Sequence, residues 1–223
     1  DASRALAQRR PDLRLDSRFP AVGSIVVTPA AEIDSAIVDV VASAFGQPGP
    51  RAAGRAILVG AVHRSRRFRE GLADAVRALR VGDSAAGGDD PLALQVGPLP
   101  IPPSEAQLRA LTRLEKGEEW LVEPRRLDDT GRLWSPGVRT GVASNAPFWE
   151  DARGVPVLGI AHAFTLGDAI AAQTAGGGAV AGLQSLDPRE ILHWLDRAQA
   201  ASLAVNRPTT GARVERHPGG AWN

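Results

Sequence analysis

The 223 residues contain no cysteine and no methionine, and among 26 basic residues Lys116 is the only lysine. Without cysteine these residues can form no disulfide, no thiolate zinc centre and no cysteine nucleophile. No run of about 18 apolar residues occurs, so no segment reads as a membrane span. Asp1 to Asp12 is polar and arginine-bearing, with no apolar stretch of the signal-peptide kind. The resulting expectation is a cytoplasmic protein. The missing methionine at position 1 reads as a piece of a longer reading frame or a processed chain.

Charge of one sign is also lacking in excess. The formal net charge is +1, which gives no bulk field for nucleic acid. Arg64, Arg66, Arg67 and Arg69 form the one basic run. No aromatic residues interleave with it for base stacking, so it reads as a solvated helix face. The four histidines, His63, His162, His193 and His217, lie far apart in the sequence and share no metal-ligand spacing. They read as surface or packing residues, and no metal is expected. Glycine-rich stretches at 46–49, 87–88 and 176–178 match neither dinucleotide nor phosphate-loop spacing, so they read as turns.

What is present is an alternation of strand-like and helix-like periodicity. Ser24 to Thr28 reads as a buried strand. A helix follows, with Thr28 as cap, Pro29 in its first turn, Ile33, Ile37, Val40, Val41 and Ala44 on one face, and Gly46 as stop. Ala56 to Val62 is the next strand, followed by a helix carrying Phe68, Leu72, Val76 and Leu79. Residues 85–90 read as a flexible turn. Ser104 and Gln107 have capping-box spacing at the start of another helix. Glu119 to Val138 reads as a β-hairpin turning at 129–131, with Trp120 and Trp134 on its arms. The carboxylate pairs Glu118–Glu119 and Asp128–Asp129 read as solvated turn residues. Strand 155–161, helix 166–174, strand 180–185, helix 188–198 and strand 203–206 complete the pattern. Such alternation predicts one α/β domain, residues 1–223, with a mostly parallel sheet flanked by helices and an appended hairpin. Periodicity names no reaction.

Particular segments do. AEIDSAIVDVVASAFGQPGPRAAGRAILVGAV is similar to the stretch around the active-site cysteine of aldehyde dehydrogenases, a helix ending in F-G-x-x-G-Q-K-C-S-A. Phe45, Gly46 and Gly49 match. AGLQSLDPREILHWLDRAQAASLAVNRPTTGARVERHPGG and GEEWLVEPRRLDDTGRLWSPGVRTGV resemble L-glutamate γ-semialdehyde (pyrroline-5-carboxylate) dehydrogenase. The likeness is to the form found in bifunctional proline utilization A proteins, and it runs from about Pro11 to Trp222.

The resemblance implies an aldehyde dehydrogenase-like catalytic domain, with the family's nucleotide-binding domain largely absent from these residues. In the family a cysteine thiolate attacks the aldehyde and hydride passes to NAD. The cysteine place falls at Ala52, the adjacent serine at Ala53, and the glutamate that activates water at Arg18. The cofactor-contacting E-x-F-G-P motif falls on 152–156, with Ala152 for the glutamate and Gly154 for the phenylalanine. Thr209, Thr210, Gly211 and Ala212 reproduce the T-T-G-A turn that anchors the substrate carboxylate. The expectation is therefore a degenerate dehydrogenase domain, non-catalytic, with no cofactor of its own and a structural or partner-binding role. Its partners would be the rest of a proline utilization A-like polypeptide, or a second copy through the 119–138 hairpin. The alternatives are a carboxylate-binding module, or half of an active dehydrogenase completed by another chain.

Overall fold

The computed structural model describes residues 8–10, 23–46, 53–82, 96–177 and 180–210. Seven strands form one sheet in the order β3-β4-β5-β2-β1-β6-β7. They are β1 (Gly23–Val27), β2 (Ala53–Val59), β3 (Glu119–Val122), β4 (Gly137–Thr140), β5 (Val157–Ala163), β6 (Val180–Gln184) and β7 (Ser202–Val205). All neighbours run parallel except β3 and β4. The helices bounded within the described residues are α1 (Ile33–Phe45), α2 (Arg66–Arg77), α3 (Glu105–Thr112), α4 (Phe148–Asp151), α5 (Leu166–Ala175) and α6 (Pro188–Arg197).

Side-chain alternation along the strands divides the core into two layers. Ile25, Val27, Ala56, Leu58, Leu158 and Ile160 meet Ile37, Val40 and Val41 of α1 and Phe68, Leu72 and Val76 of α2. Val26, Ile57, Val59, Ala161 and Leu183 meet Trp149 of α4, Ile170 of α5 and Trp194 of α6. Each fully buried Leu, Ile, Val or Phe contributes about 1.5–3 kcal/mol against exposure. Trp194 is pinned by more than area. Its indole N–H donates to Gln173 Oε1 at 2.8 Å, and Gln173 Nε2 donates to the carbonyls of Ser24 and Gly182. One glutamine thus ties α6 through α5 to β1 and β6.

Several boundaries differ from the sequence reading. The first helix begins at Ile33, not Pro29, because the Glu32 carboxylate accepts from the N–H groups of Asp34 and Ser35. Thr28 instead serves the preceding turn, where Ala31 N–H donates to its carbonyl and Ala30 N–H to its hydroxyl. Strand β2 runs from Ala53 to Val59 and then tightens into a 3₁₀ turn at Gly60–Arg64. The Ser104–Gln107 capping box and the stop at Gly46 are both present. The turn expected at 85–90 lies outside the described residues.

The hairpin is not a free flap at its base. Its second arm, β4, pairs in parallel with β5 and so joins the main sheet. Toward the tip, Arg126 and Trp134 form a bridge, and the turn at 128–131 is closed by Asp128, which accepts from Leu133 N–H. Glu118, read as solvated, is buried against Arg139. The basic run behaves as expected: Arg66 pairs with Glu70, Arg67 with Asp34 and Arg69 with Glu119. No described helix is long and apolar enough to cross a membrane.

Candidate functional site

Parallel strands begin at one edge of the sheet, and several of the residues singled out above that are described lie toward it. Helix α1 ends there at Phe45, and β2 starts there at Ala53, whose backbone pairs with Gly23 of β1. Ala152 closes α4 just ahead of β5, its N–H donating to the carbonyl of Phe148 at 2.8 Å. Gly154 turns the chain into β5 with φ +80°, a conformation that suits glycine. Ala52, Arg18, Gly211 and Ala212 lie outside the described residues.

The turn at 209–212, which the resemblance implies would anchor a carboxylate, is described as far as Thr210. After β7 the chain crosses back to α1, where Thr209 N–H donates to Ser43 Oγ at 2.9 Å and the Thr210 hydroxyl donates to the Ala42 carbonyl at 3.1 Å. The Thr209 methyl lies against Gly182, where an added Cβ would stand 3.0 Å from it. The absent side chain in β6 therefore makes the berth that Thr209 fills. Nearby, burial raises the Asp39 carboxyl above its ordinary range, opposed by the hydrogen bond it accepts from Gln184 Nε2 at 2.8 Å.

The most elaborate chemistry at this end is a feature that periodicity missed. Register places Trp120, Arg139, Gly159, Arg55, Ser24, Ala181 and Leu203 in one row across all seven strands. Gly159 separates the two arginines, and α4 lays Phe148 and Trp149 over it. A Cβ on Gly159 would come within 2.5 Å of both rings. The two rings meet edge to face at 5.3 Å. The Arg139 guanidinium lies 4.6 Å from the Phe148 centroid, and the Arg55 guanidinium lies 4.0 Å from that of Trp149, both within cation–π range. Arg139 is neutralised by Glu118. Arg55 donates to the Ala172 carbonyl at 3.0 Å in the last turn of α5. Burial pulls the Arg55 pKa below the ordinary arginine value, with Glu150 opposing the shift. Arginine nevertheless stays charged at neutral pH. The sequence signals were a charged residue beside an apolar strand and a glycine inside β5.

Chemically this edge is sparse. Among the described residues, no three His, Cys, Asp or Glu side chains converge. Thr209 N–H and the Thr210 hydroxyl are engaged with α1, and Arg55 and Arg139 hold structural positions.

The aldehyde dehydrogenase family model matches residues 17–222. The chain belongs to the aldehyde dehydrogenase family. Proline utilization A from Corynebacterium freiburgense is 40% identical and superposes with a TM-score of 0.86, over 99% of this chain and 23% of that one. A 1-pyrroline-5-carboxylate dehydrogenase from Thermus thermophilus is 25% identical, with a TM-score of 0.71, over 91% of this chain and 38% of that one. A 1-pyrroline-5-carboxylate dehydrogenase from Thermus with bound NAD is 24% identical, with a TM-score of 0.70, over 90% of this chain and 38% of that one. This chain therefore spans well under half the length of these relatives. No curated protein matches the sequence closely enough to count as a relative.

The family's NAD gives a test of fit. At the positions where the resemblance implies cofactor contact, Ala152 offers a methyl group and its N–H is spent capping α4. Gly154 has no side chain, and a Cβ built there would meet Gln107 Nε2 at 3.7 Å. Neither position supplies a carboxylate or an aromatic ring, so these residues do not fit the family's cofactor contact.

Proposed function

We propose that this chain is an aldehyde dehydrogenase catalytic-type domain that has lost dehydrogenase chemistry and serves as a structural or partner-binding module. Its relation is to the NAD-dependent oxidation of L-glutamate γ-semialdehyde to glutamate in proline catabolism. The 40% identity over nearly the whole chain to a proline utilization A protein supports placing it within a polypeptide of that kind. Residues 1–223 then correspond to the catalytic-domain half of the fold.

The observation that carries the reading is the absence of cysteine from all 223 residues. The family reaction needs a thiolate to form the hemithioacetal, and no side chain here can be one. Ala52 at the nucleophile place has a methyl group. Arg18 at the base place carries a guanidinium, which accepts no proton at neutral pH. Ala152 and Gly154 add the poor fit to NAD. Another chain could restore activity only by bringing its own cysteine. Partners would be the remainder of the polypeptide or a second copy meeting it along the β3–β4 edge. A cytoplasmic location accompanies this reading.

The carboxylate-binding alternative needs free donors around Thr210, Gly211, Ala212 and Ala53. Thr209 N–H and the Thr210 hydroxyl are already committed to α1, which favours a packing role for the turn.

The test is direct. Purified chain, NAD and L-glutamate γ-semialdehyde should give no NADH above the enzyme-free rate, and turnover would overturn the proposal. Millimolar glutamate or proline should leave the melting temperature unchanged. A saturable rise would replace the structural role with ligand binding.

A further inference from the structure

At the opposite, carboxyl edge of the sheet, two histidines distant in sequence come together. His63 sits in the 3₁₀ turn after β2, and His162 sits near the end of β5, the strand beside β2. Their ring centroids are 3.8 Å apart, with the planes tilted by 42°. Gly60, held at φ +56°, has its carbonyl oxygen 2.6 Å from His63 Nδ1 and 3.3 Å from His162 Nε2. Phe164 closes the far side of His162, edge to face at 4.8 Å. His63 is half-buried and His162 exposed, so the pair is open to solutes.

Both nitrogens that face Gly60 must carry protons if they bond its carbonyl. Moving each proton to the other ring nitrogen, the ordinary imidazole tautomerism, turns both nitrogens into lone-pair donors. Both nitrogens then offer lone pairs within 3.3 Å of the Gly60 carbonyl oxygen. Ligands about 2.0–2.1 Å from a tetrahedral zinc ion stand roughly 3.3 Å from one another. The His162 to Gly60 separation already has that value, and the His63 contact needs to open by roughly 0.7 Å. Rotation of the half-buried His63 ring supplies that opening, and rotation of the exposed His162 ring parts the two centroids, now 3.8 Å from each other. Ligands in open α/β sheets favour this edge, beyond the carboxyl ends of the strands.

We propose that His63 Nδ1, His162 Nε2 and the Gly60 carbonyl form a binding site for a divalent transition-metal ion of the zinc class. No third His, Cys, Asp or Glu side chain joins the pair among the described residues. Water completes the shell, and the site is open and exchangeable. It is independent of the dehydrogenase ancestry and lies at the opposite end of β5 from Ala152 and Gly154.

Tag-free, metal-stripped chain titrated with zinc against a chromophoric chelator tests this. One equivalent should bind. His63→Ala and His162→Ala should each weaken binding by at least about tenfold, as expected for loss of a ligand. His193→Ala, on α6, should leave binding unchanged. Zinc should also shift the imidazole proton resonances of His63 and His162 in the unsubstituted chain, a reading independent of how the variants fold. No zinc binding beyond that of the double alanine variant, or zinc shifts at His193 without any at His63 and His162, would overturn the proposal.

Discussion

Arg139 and Arg55 occupy the same row of the sheet on either side of Gly159, and both are almost wholly buried, at 2% and 6% exposure. What neutralises them is different. Arg139 has a carboxylate: its Nε donates to Glu118 Oε2 at 2.7 Å, its Nη2 donates to the same oxygen, and Glu115 N–H adds a third donor at 2.7 Å. Arg55 has no carboxylate within ion-pair distance among the described residues. It rests on the Trp149 indole and on a carbonyl at the carboxyl end of α5, where the helix presents partial negative charge. A buried cation can therefore be accommodated by diffuse negative potential as well as by a formal partner. The first arrangement is strong only while both members remain; the second has no partner to strand.

The comparison breaks most sharply at the ion pair. Glu118→Ala should cost about 3–5 kcal/mol in urea unfolding, because it leaves the Arg139 guanidinium buried without its counterion. Replacing both residues by apolar ones, Glu118→Leu with Arg139→Met, should cost less than that single change. A double variant less stable than Glu118→Ala would contradict the ion-pair account.

Next in size is the spacer. Gly159→Ala pushes a methyl group into Phe148 and Trp149, and overpacking of this kind costs about 1–3 kcal/mol. Because both rings must move, both cation contacts should loosen together, read as a shift of the Trp149 emission relative to that of a Trp149→Phe control.

Arg55→Met should be milder, about 1 kcal/mol. It removes one hydrogen bond to the Ala172 carbonyl and leaves no charge uncompensated. A loss as large as that of Glu118→Ala would mean that Arg55 holds a partner equivalent to Glu118.

The smallest effect is at the exposed cap of α1. Glu32 is held below the ordinary carboxylate range, first by the Ser35 N–H and then by the Ser35 side chain and the Asp34 N–H. Its folded pKa is depressed, so its contribution is present above the unfolded value and is lost as pH falls through the folded one. Glu32→Gln should flatten that acid limb of the stability curve and change little at pH 7. An unchanged acid limb would remove Glu32 from the account.

Much of the framework was legible without coordinates. Strand β1, the Gly46 stop, the Ser104–Gln107 box, α5 and α6 all follow from patterns within a dozen residues, where local hydrogen bonding and one-face burial decide. The start of α1 was misplaced because Thr28–Pro29 suits either a helix entry or a turn. The Glu32 carboxylate, four residues later, made the choice. Strand β2 was read from Ala56, which left Arg55 outside it. Glu118 looked solvated because its partner is Arg139 on the neighbouring strand, and His63 and His162 looked remote because β2 and β5 are adjacent only in the sheet.

By itself, then, the amino-acid sequence determined the alternation of elements, the family, and the lack of any thiolate for that family's reaction. These depend on residue identity and short-range order. Only the tertiary structure decided that Arg139, Gly159 and Arg55 share a row, that Thr209 and Thr210 are committed to α1, and that two histidines meet over one carbonyl. Each of these depends on strand register and on chain segments far apart in sequence, and no local pattern encodes which strand becomes whose neighbour.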